Sequence, residues 1–206
     1  VTARTHHQVF FFTTRGRVFV IKGYELPEAG RTARGTAIIN LLSLQPEEKI
    51  TAVIPIREIT EGFYLFMGTK NGIVKKTDLM EFETVRKNGL IAIVLDDNDE
   101  LIGVKLTDGN QQIILGTRDG MAINFSEQDV RSMGRSTRGV KGINLQEMDF
   151  IVGMDTMDPK GQVLVVSELG FGKRTAVDQY RMQSRGGKGL INLKVTEKTG
   201  AVVGLR

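Results

Sequence analysis

At 206 residues, with 40% apolar and 25% charged side chains, the chain has the composition of a folded, water-soluble protein with a sizeable core, not of a disordered one. It holds no run near the roughly 18–20 apolar residues of a membrane-crossing helix, no signal-peptide pattern in VTARTHHQ and no cysteine, which excludes a disulfide framework and fits a cytoplasmic chain without a membrane. The net charge of +4 is modest but segregated: basic residues gather in Arg15–Arg34, Lys70–Lys87, Arg131–Lys141 and Lys173–Lys188, acids in Pro46–Lys49 and Asp96–Glu100, which predicts a basic and an acidic side.

The first predicted strand is VFFF, which runs through TTRG to Gly16 and into a second, VFVI; both are rich in β-branched and aromatic residues. ELPEAG then has room for about one helical turn. A basic loop, GRTARGTAIINL, follows with Gly35, then the acidic turn PEEK and the apolar run ITAVIPI. From Tyr64 the same grammar restarts: YLFMGTKNG ends on Gly72, VRKNGLIAIVL carries Gly89, and LIGVKLT follows DDNDE. The third pass has IILGTRDG ending on Gly120, SEQDVRSMG with room for another helical turn, GRSTRGVKGINL with Gly139, and FIVGMDTM. The fourth has VLVVSELG ending on Gly170, QSRGGKGLINL with Gly187, and AVVGLR.

The turn glycines recur every 48 to 56 residues, and a second glycine follows each after 17 to 19. TKNG and TRDG hold the Asn-Gly and Asp-Gly pairs that tolerate positive φ in hairpin turns. Each unit is therefore predicted as two hairpins: strand, glycine turn, strand, basic loop, strand, acidic turn, strand. Four strands in about 50 residues is the size of a propeller blade. The expected fold is all-β and propeller-like, one domain over 1–206 with four four-stranded blades at about 8–56, 62–107, 111–157 and 161–206.

Catalytic constellations are missing. His6 and His7 are neighbours, so on a strand they point to opposite faces and cannot converge on one metal; no GxSxG occurs. GFGKRT (Gly170–Thr175) resembles the end of a nucleotide loop, but Ser167 stands where its first glycine belongs and Arg174 where its hydroxyl belongs. RGGKG fails likewise, because Lys188 is followed by Gly189. The expectation is a non-catalytic chain with no metal or cofactor of its own.

The basic loops carry the functional expectation. They hold Arg31 and Arg34; Arg86 and Lys87; Arg135, Arg138 and Lys141; and Arg185 and Lys188. The second strands add Arg17 and Lys22, Lys75 and Lys76, and Lys173 and Arg174, with Arg15, Arg131 and Arg181 flanking. Glycine lets backbone N–H groups approach a phosphate, and arginine offers a fork matched to two of its oxygens. Blade repetition presents these loops around one rim. Bending 20–30 base pairs through 40–90° costs on the order of 1–6 kcal/mol, which a ring of basic loops can offset and a single loop cannot. Only Tyr24, Phe82 and Tyr180 lie near the loops, so base stacking is weakly supported. The expected partner is duplex DNA held through its backbone, with little sequence readout. A protein-interaction propeller meeting an acidic partner is the alternative of a different class.

FFFTTRGRVFVIKGYELPEAGRTARGTAIINLL (Phe10–Leu42) and QSRGGKG (Gln183, Ser184, Arg185, Gly186, Gly187, Lys188 and Gly189) carry a resemblance. Over essentially its whole length the chain resembles the C-terminal domain of bacterial DNA gyrase A, the first segment its second blade and the second segment its glutamine–arginine–glycine-rich box. The resemblance implies a β-pinwheel that wraps DNA around its rim. It also implies partnership with the rest of gyrase A and with gyrase B, whose ATP hydrolysis, with magnesium, drives negative supercoiling in the bacterial cytoplasm, at the nucleoid. The DNA-cleaving tyrosine of the family lies outside this domain, so Tyr24, Tyr64 and Tyr180 are not read as nucleophiles. Two departures stand out. Ser184 replaces the family's second cation, and the box belongs to the first of six blades, whereas QSRGGKG falls in the last of four. Four blades against six imply a fragment of the disc, or a reduced disc such as the related topoisomerase IV domain, which binds DNA with little wrapping, can carry.

Overall fold

In a computed structural model, which describes residues 2–85 and 88–206, four antiparallel sheets stand in sequence order. The first sheet joins β1 (Gln8–Thr13), β2 (Arg17–Lys22), β3 (Ile50–Ile56) and β6 (Leu90–Ile91). The second joins β4 (Tyr64–Thr69), β5 (Ile73–Asp78), β7 (Leu101–Thr107) and β10 (Val140–Lys141). The third joins β8 (Gln112–Thr117), β9 (Met121–Ser126), β11 (Ile151–Met157) and β14 (Leu190–Ile191). The fourth holds β12 (Gln162–Ser167), β13 (Gly172–Ala176) and β15 (Val202–Leu205). Between strands lie short 3-10 turns such as Gly23–Glu25 and Glu127–Asp129, where the sequence predicted single helical turns. No described helix is long and apolar enough to cross a membrane.

The all-β, propeller-like expectation holds, with one difference in how the blades are made. Each unit was expected to supply both of its hairpins. Instead the outermost strands β6, β10 and β14 come from the following unit: Val18 pairs Leu90, Val74 pairs Val140, and Ala122 pairs Leu190. The basic loop of one unit thus crosses to the preceding sheet and closes its outer edge. Blade boundaries drawn by sequence unit cut through every one of these pairings.

The hairpin turns form as their residues dictate. Gly16, Gly72, Gly120 and Gly170 all have positive φ, between 71° and 88°. The acidic turns have an inward role: Glu48, Asp99 and Asp149 are buried. Glu48 accepts from the Thr13 hydroxyl, Asp99 from the Asn71 N–H and Asp149 from the Asp119 N–H, so each carboxylate ties its closing turn to the hairpin. These three acids brace the blade tip, while Glu47, Asp96, Asp97 and Glu100 of the same turns are exposed.

Sheets pack face to face, and the core lies in the layers between them. Phe10, Phe12, Val18 and Val20 of the first sheet meet Leu65 and Met67 of the second, with Phe82 edge-on to Phe10 at 6.3 Å. Phe66 and Val74 meet Ile113 and Leu115, and Ile114 meets Val163 and Val165 in the next layers. Each fully buried aliphatic or Phe side chain contributes about 1.5–3 kcal/mol, so the layers, not the short sheet edges, hold the stack together.

Candidate nucleic-acid interface

The basic loops are held by the strand they donate. Where a loop meets the preceding sheet, its glycine presses on foreign atoms: a Cβ on Gly139 would stand 2.6 Å from the Val74 carbonyl oxygen, and one on Gly189 would press still closer on that of Ala122. Both have positive φ. Their requirement for glycine comes from strand-to-strand approach, a reason independent of any phosphate. The counterpart of Gly89 and Gly139 in the fourth unit is Gly189, where the sequence spacing pointed to Gly187.

Successive loops are also bonded to each other. The Val94 N–H donates to the Thr137 carbonyl at 3.0 Å, and at the next junction Asn144 donates to Gly187 at 2.8 Å. Gly186 returns a bond to the Gly142 carbonyl at 2.7 Å. The loops of units two, three and four therefore form a continuous chain of backbone hydrogen bonds along the outer edge.

On this frame the predicted cations separate into two groups. Several face inward. Lys75 is fully buried and its ammonium donates to the carbonyls of Ala92, Arg135 and Thr137. Burial, then the neighbouring Arg135 charge, lower its pKa to about 8. Lys76 is buried too, donates to the Glu127 carbonyl at 3.0 Å and lies over the Tyr64 ring, and burial lowers its pKa. Arg17 pairs with Glu48 at 2.9 Å, stacks on Phe19 and reaches the Asn88 carbonyl. Arg185 donates from Nε to Asp129 and from a terminal nitrogen to Lys141, both through backbone carbonyls. Arg135 turns toward Glu81, 4.0 Å away. Their geometry makes these residues fasteners between blades.

The second group faces outward. Arg31, Arg34, Arg131, Lys141, Arg174, Arg181 and Lys188 are exposed, as is Ser184, and no described residue pairs with those seven cations. Lys22 is half-buried and Lys173 exposed, the latter donating to the Asn192 carbonyl at 3.2 Å. Arg138 is exposed and pairs with Asp96 at 2.6 Å, while Arg15 is exposed and bonds Gln45 and the Pro46 carbonyl. Arg86 and Lys87 lie outside the described residues. Within one loop the first cation (Arg135, Arg185) is held by the preceding unit; of the second cations, both exposed, Arg138 pairs with Asp96 of the preceding unit and Lys188 pairs with no described residue.

Of the aromatic residues near the loops, Phe82 and Tyr180 are buried and Tyr24 is exposed. The Tyr180 hydroxyl donates to the Asn192 side-chain oxygen at 2.6 Å, and Asn124 donates to the Tyr180 carbonyl at 2.9 Å. Burial pushes the Tyr180 phenol up. This Asn124–Tyr180–Asn192 fastener was missed from sequence, although the shared Ile-Asn-Leu ending was its visible trace. GFGKRT begins at the hairpin glycine and runs into β13, so it is strand and not a phosphate-wrapping loop.

The family described as DNA gyrase C-terminal domain, beta-propeller, matches residues 7–57, 64–108, 111–156 and 161–206. DNA gyrase A of Clostridium acetobutylicum is 54% identical over 202 residues, which cover 98% of this chain and 24% of that protein. The chain therefore spans about a quarter of the length of such relatives. A solved structure of the C-terminal domain of DNA topoisomerase IV superposes with a TM-score of 0.90 at 29% identity, covering 98% of this chain and 64% of that one. A solved DNA gyrase A C-terminal domain superposes with a TM-score of 0.84 at 27% identity, covering 98% and 66%. With four matched segments accounting for most of its residues, each centred on one sheet, the chain belongs to the DNA gyrase C-terminal domain family.

Proposed function

We propose that the chain is a DNA-binding module of gyrase A that takes duplex DNA along its outer edge and bends it. The observation that carries this reading is the outward set Arg131, Lys141, Arg181 and Lys188, presented on loops that are hydrogen-bonded in series. Phosphates meet guanidinium and ammonium groups there, and each neutralised phosphate releases counterions, so log K falls with log salt by about 0.9 per contact. The tied loops resist the straightening force of the bound duplex together. The buried aromatics leave little for base stacking, which favours backbone contact over sequence readout.

In this reading the module bends or wraps DNA for strand passage elsewhere in the enzyme. Magnesium, ATP and the cleavage chemistry belong to the rest of gyrase A and to gyrase B. The chain itself contributes binding and curvature. The TM-score of 0.90 with the topoisomerase IV domain supports a second reading, in which the same edge binds DNA with little wrapping.

Ligation of nicked plasmid around the purified chain tests both. A positive linking-number shift is expected for wrapping; binding without a shift selects the second reading. A salt titration of affinity with a flat log K would overturn both and leave an acidic protein as the partner.

A further inference from the structure

The crossing loops of units two, three and four share one register. Gly89, Gly139 and Gly189 each stand just before a donated strand, and the residues preceding them are Asn88, Arg138 and Lys188. Two loops thus hold an exposed cation at this outer position, and the third holds an exposed amide. Asn88 is also half of one of the two Asn-Gly pairs in the sequence, the other being Asn71-Gly72. In such pairs the asparagine side chain cyclises most readily, because no Cβ on the glycine hinders attack by its nitrogen.

The two pairs are held differently. At the β4–β5 turn the Gly72 N–H donates to the Thr69 carbonyl at 3.1 Å, and the Asn71 N–H donates to Asp99 at 2.9 Å. Attack by the Gly72 nitrogen would break the first bond and deform a turn that the second one fixes. Gly89 is free of this restraint. The Ala92 N–H donates to the Gly16 carbonyl, and Ile91 and Leu90 then lie opposite Arg17 and Val18. Antiparallel ladder bonds alternate, so they fall at Ala92 and Leu90, and the Gly89 N–H points away from β2. It has no hydrogen-bond partner among the described residues.

Arg17 completes the arrangement. One terminal nitrogen donates to the Asn88 carbonyl oxygen at 3.2 Å, the other is held by Glu48 at 2.9 Å, and the guanidinium lies over the Phe19 ring. The Asn88 carbonyl and the Gly89 N–H belong to one peptide group. A cation on its oxygen stabilises the negative charge that the group gains when the nitrogen gives up its proton, the step that makes the nitrogen a nucleophile. In the second and third sheets Ile73 and Met121 take the place of Arg17, so neither Arg138-Gly139 nor Lys188-Gly189 meets such a group.

We propose that Asn88 is a self-modifying site, at which the Gly89 nitrogen attacks the Asn88 side-chain carbon Cγ while Arg17 activates the peptide between them. The N–Cγ bond forms, the Cγ–Nδ2 bond breaks, and ammonia leaves with the Gly89 proton. Water then opens the five-membered ring. Opening at Cγ gives aspartate; opening at the main-chain carbonyl carbon gives isoaspartate, in which the chain runs on through Cβ. Either product sets a carboxylate beside Arg17, at the outer position where the sibling loops carry Arg138 and Lys188. The isoaspartyl link also lengthens the backbone next to Gly89, which packs so closely on Phe19 that a Cβ would lie 2.6 Å from its ring. Ageing of the chain therefore turns this loop against a polyanion. The chemistry is independent of the DNA reading; its effect on duplex binding rests on it.

Peptide mapping by mass spectrometry, on chain held in warm, mildly alkaline buffer, follows both Asn-Gly pairs in one sample, and an isoaspartyl methyltransferase labels the isomerised product. Asn88 is expected to lose its amide about tenfold faster than Asn71, the factor set by the one hydrogen bond that Gly72 must break. Equal rates, or a faster Asn71, would overturn the proposal. In urea the two rates should converge; a gap that persisted there would come from local sequence and would remove the role of the fold. Arg17→Gln is expected to slow Asn88 about tenfold, and Arg17→Lys to restore part of the rate. An unchanged rate in an Arg17→Gln chain that circular dichroism shows to be folded would overturn the activation, and the native comparison stands if that variant unfolds. Aged chain and Asn88→Asp are expected to bind duplex about threefold more weakly than fresh chain at low salt. Equal affinities would overturn the consequence. Absence of binding by fresh chain would instead sink the DNA reading, with the mass readout intact.

Discussion

Arg185 donates from Nε to the carbonyl oxygen of Asp129 at 2.9 Å, and this bond turns the first cation of the QSRGGKG loop away from solvent and onto the third sheet. Lys188, three residues on, is exposed and unpaired among the described residues. The two should separate on mutation. Arg185→Ala is expected to lower unfolding free energy by about 1 kcal/mol, through two lost charge-assisted bonds in a partly exposed setting. Lys188→Ala should leave stability within about 0.5 kcal/mol and reduce the salt slope of duplex binding by about 0.9. Urea denaturation and salt titration of both variants check this; equal stability losses would remove the division of labour.

Lys75 gives a pH dependence with a definite sign. Its folded pKa is about 8 against 10.5 for the free side chain, so between these values the unfolded chain binds more protons than the folded one. The penalty for burying its charge is fully present below about pH 8 and is relieved as pH rises toward 10.5. Stability of the native chain relative to Lys75→Met is therefore expected to climb across this window. Paired denaturation curves on either side of pH 8 measure it, and a parallel pH course for the two proteins would count against it.

Arg138 and Asp96 form an exposed pair at 2.6 Å. Such pairs contribute about 0–1 kcal/mol to stability, but here the carboxylate also competes with phosphate for the guanidinium. Asp96→Asn is expected to tighten duplex binding by about 0.5 kcal/mol at low salt, with the gain fading as salt rises, and to leave the melting temperature nearly unchanged. Weaker binding in the variant would show that Asp96 positions Arg138 for contact.

Met148 sits at φ 63° with 88% of its surface exposed, a left-handed conformation taken at the equivalent turn by Asn98. Asparagine tolerates this region better than methionine. Met148→Asn should therefore raise unfolding free energy by about 0.5 kcal/mol, read as a higher urea midpoint at an unchanged m-value. A lower midpoint would mean that the Met148 side chain makes a stabilising contact.

Local residue choice set the repeating skeleton. VFFF, IILG and VLVV are strands because branched and aromatic side chains suit a pleated surface, and Gly16, Gly72, Gly120 and Gly170 close hairpins because the turn needs positive φ. Both properties involve atoms a few residues apart, so the sequence alone determined the strands, the turns and the four-fold repetition. The fate of the cations was different. IVKKTD reads as a strand with two solvated lysines, yet Lys75 and Lys76 are buried, because a blade is covered on both faces and on its outer edge. What covers them, Ala92, Glu127, Arg135 and Thr137, comes from later turns of the repeat, in the same unit or the next. Whether a lysine meets water or a ring of carbonyls was decided by the exchange of strands between units, which brings together residues some 50 to 60 positions apart and is settled only when the sheets stack.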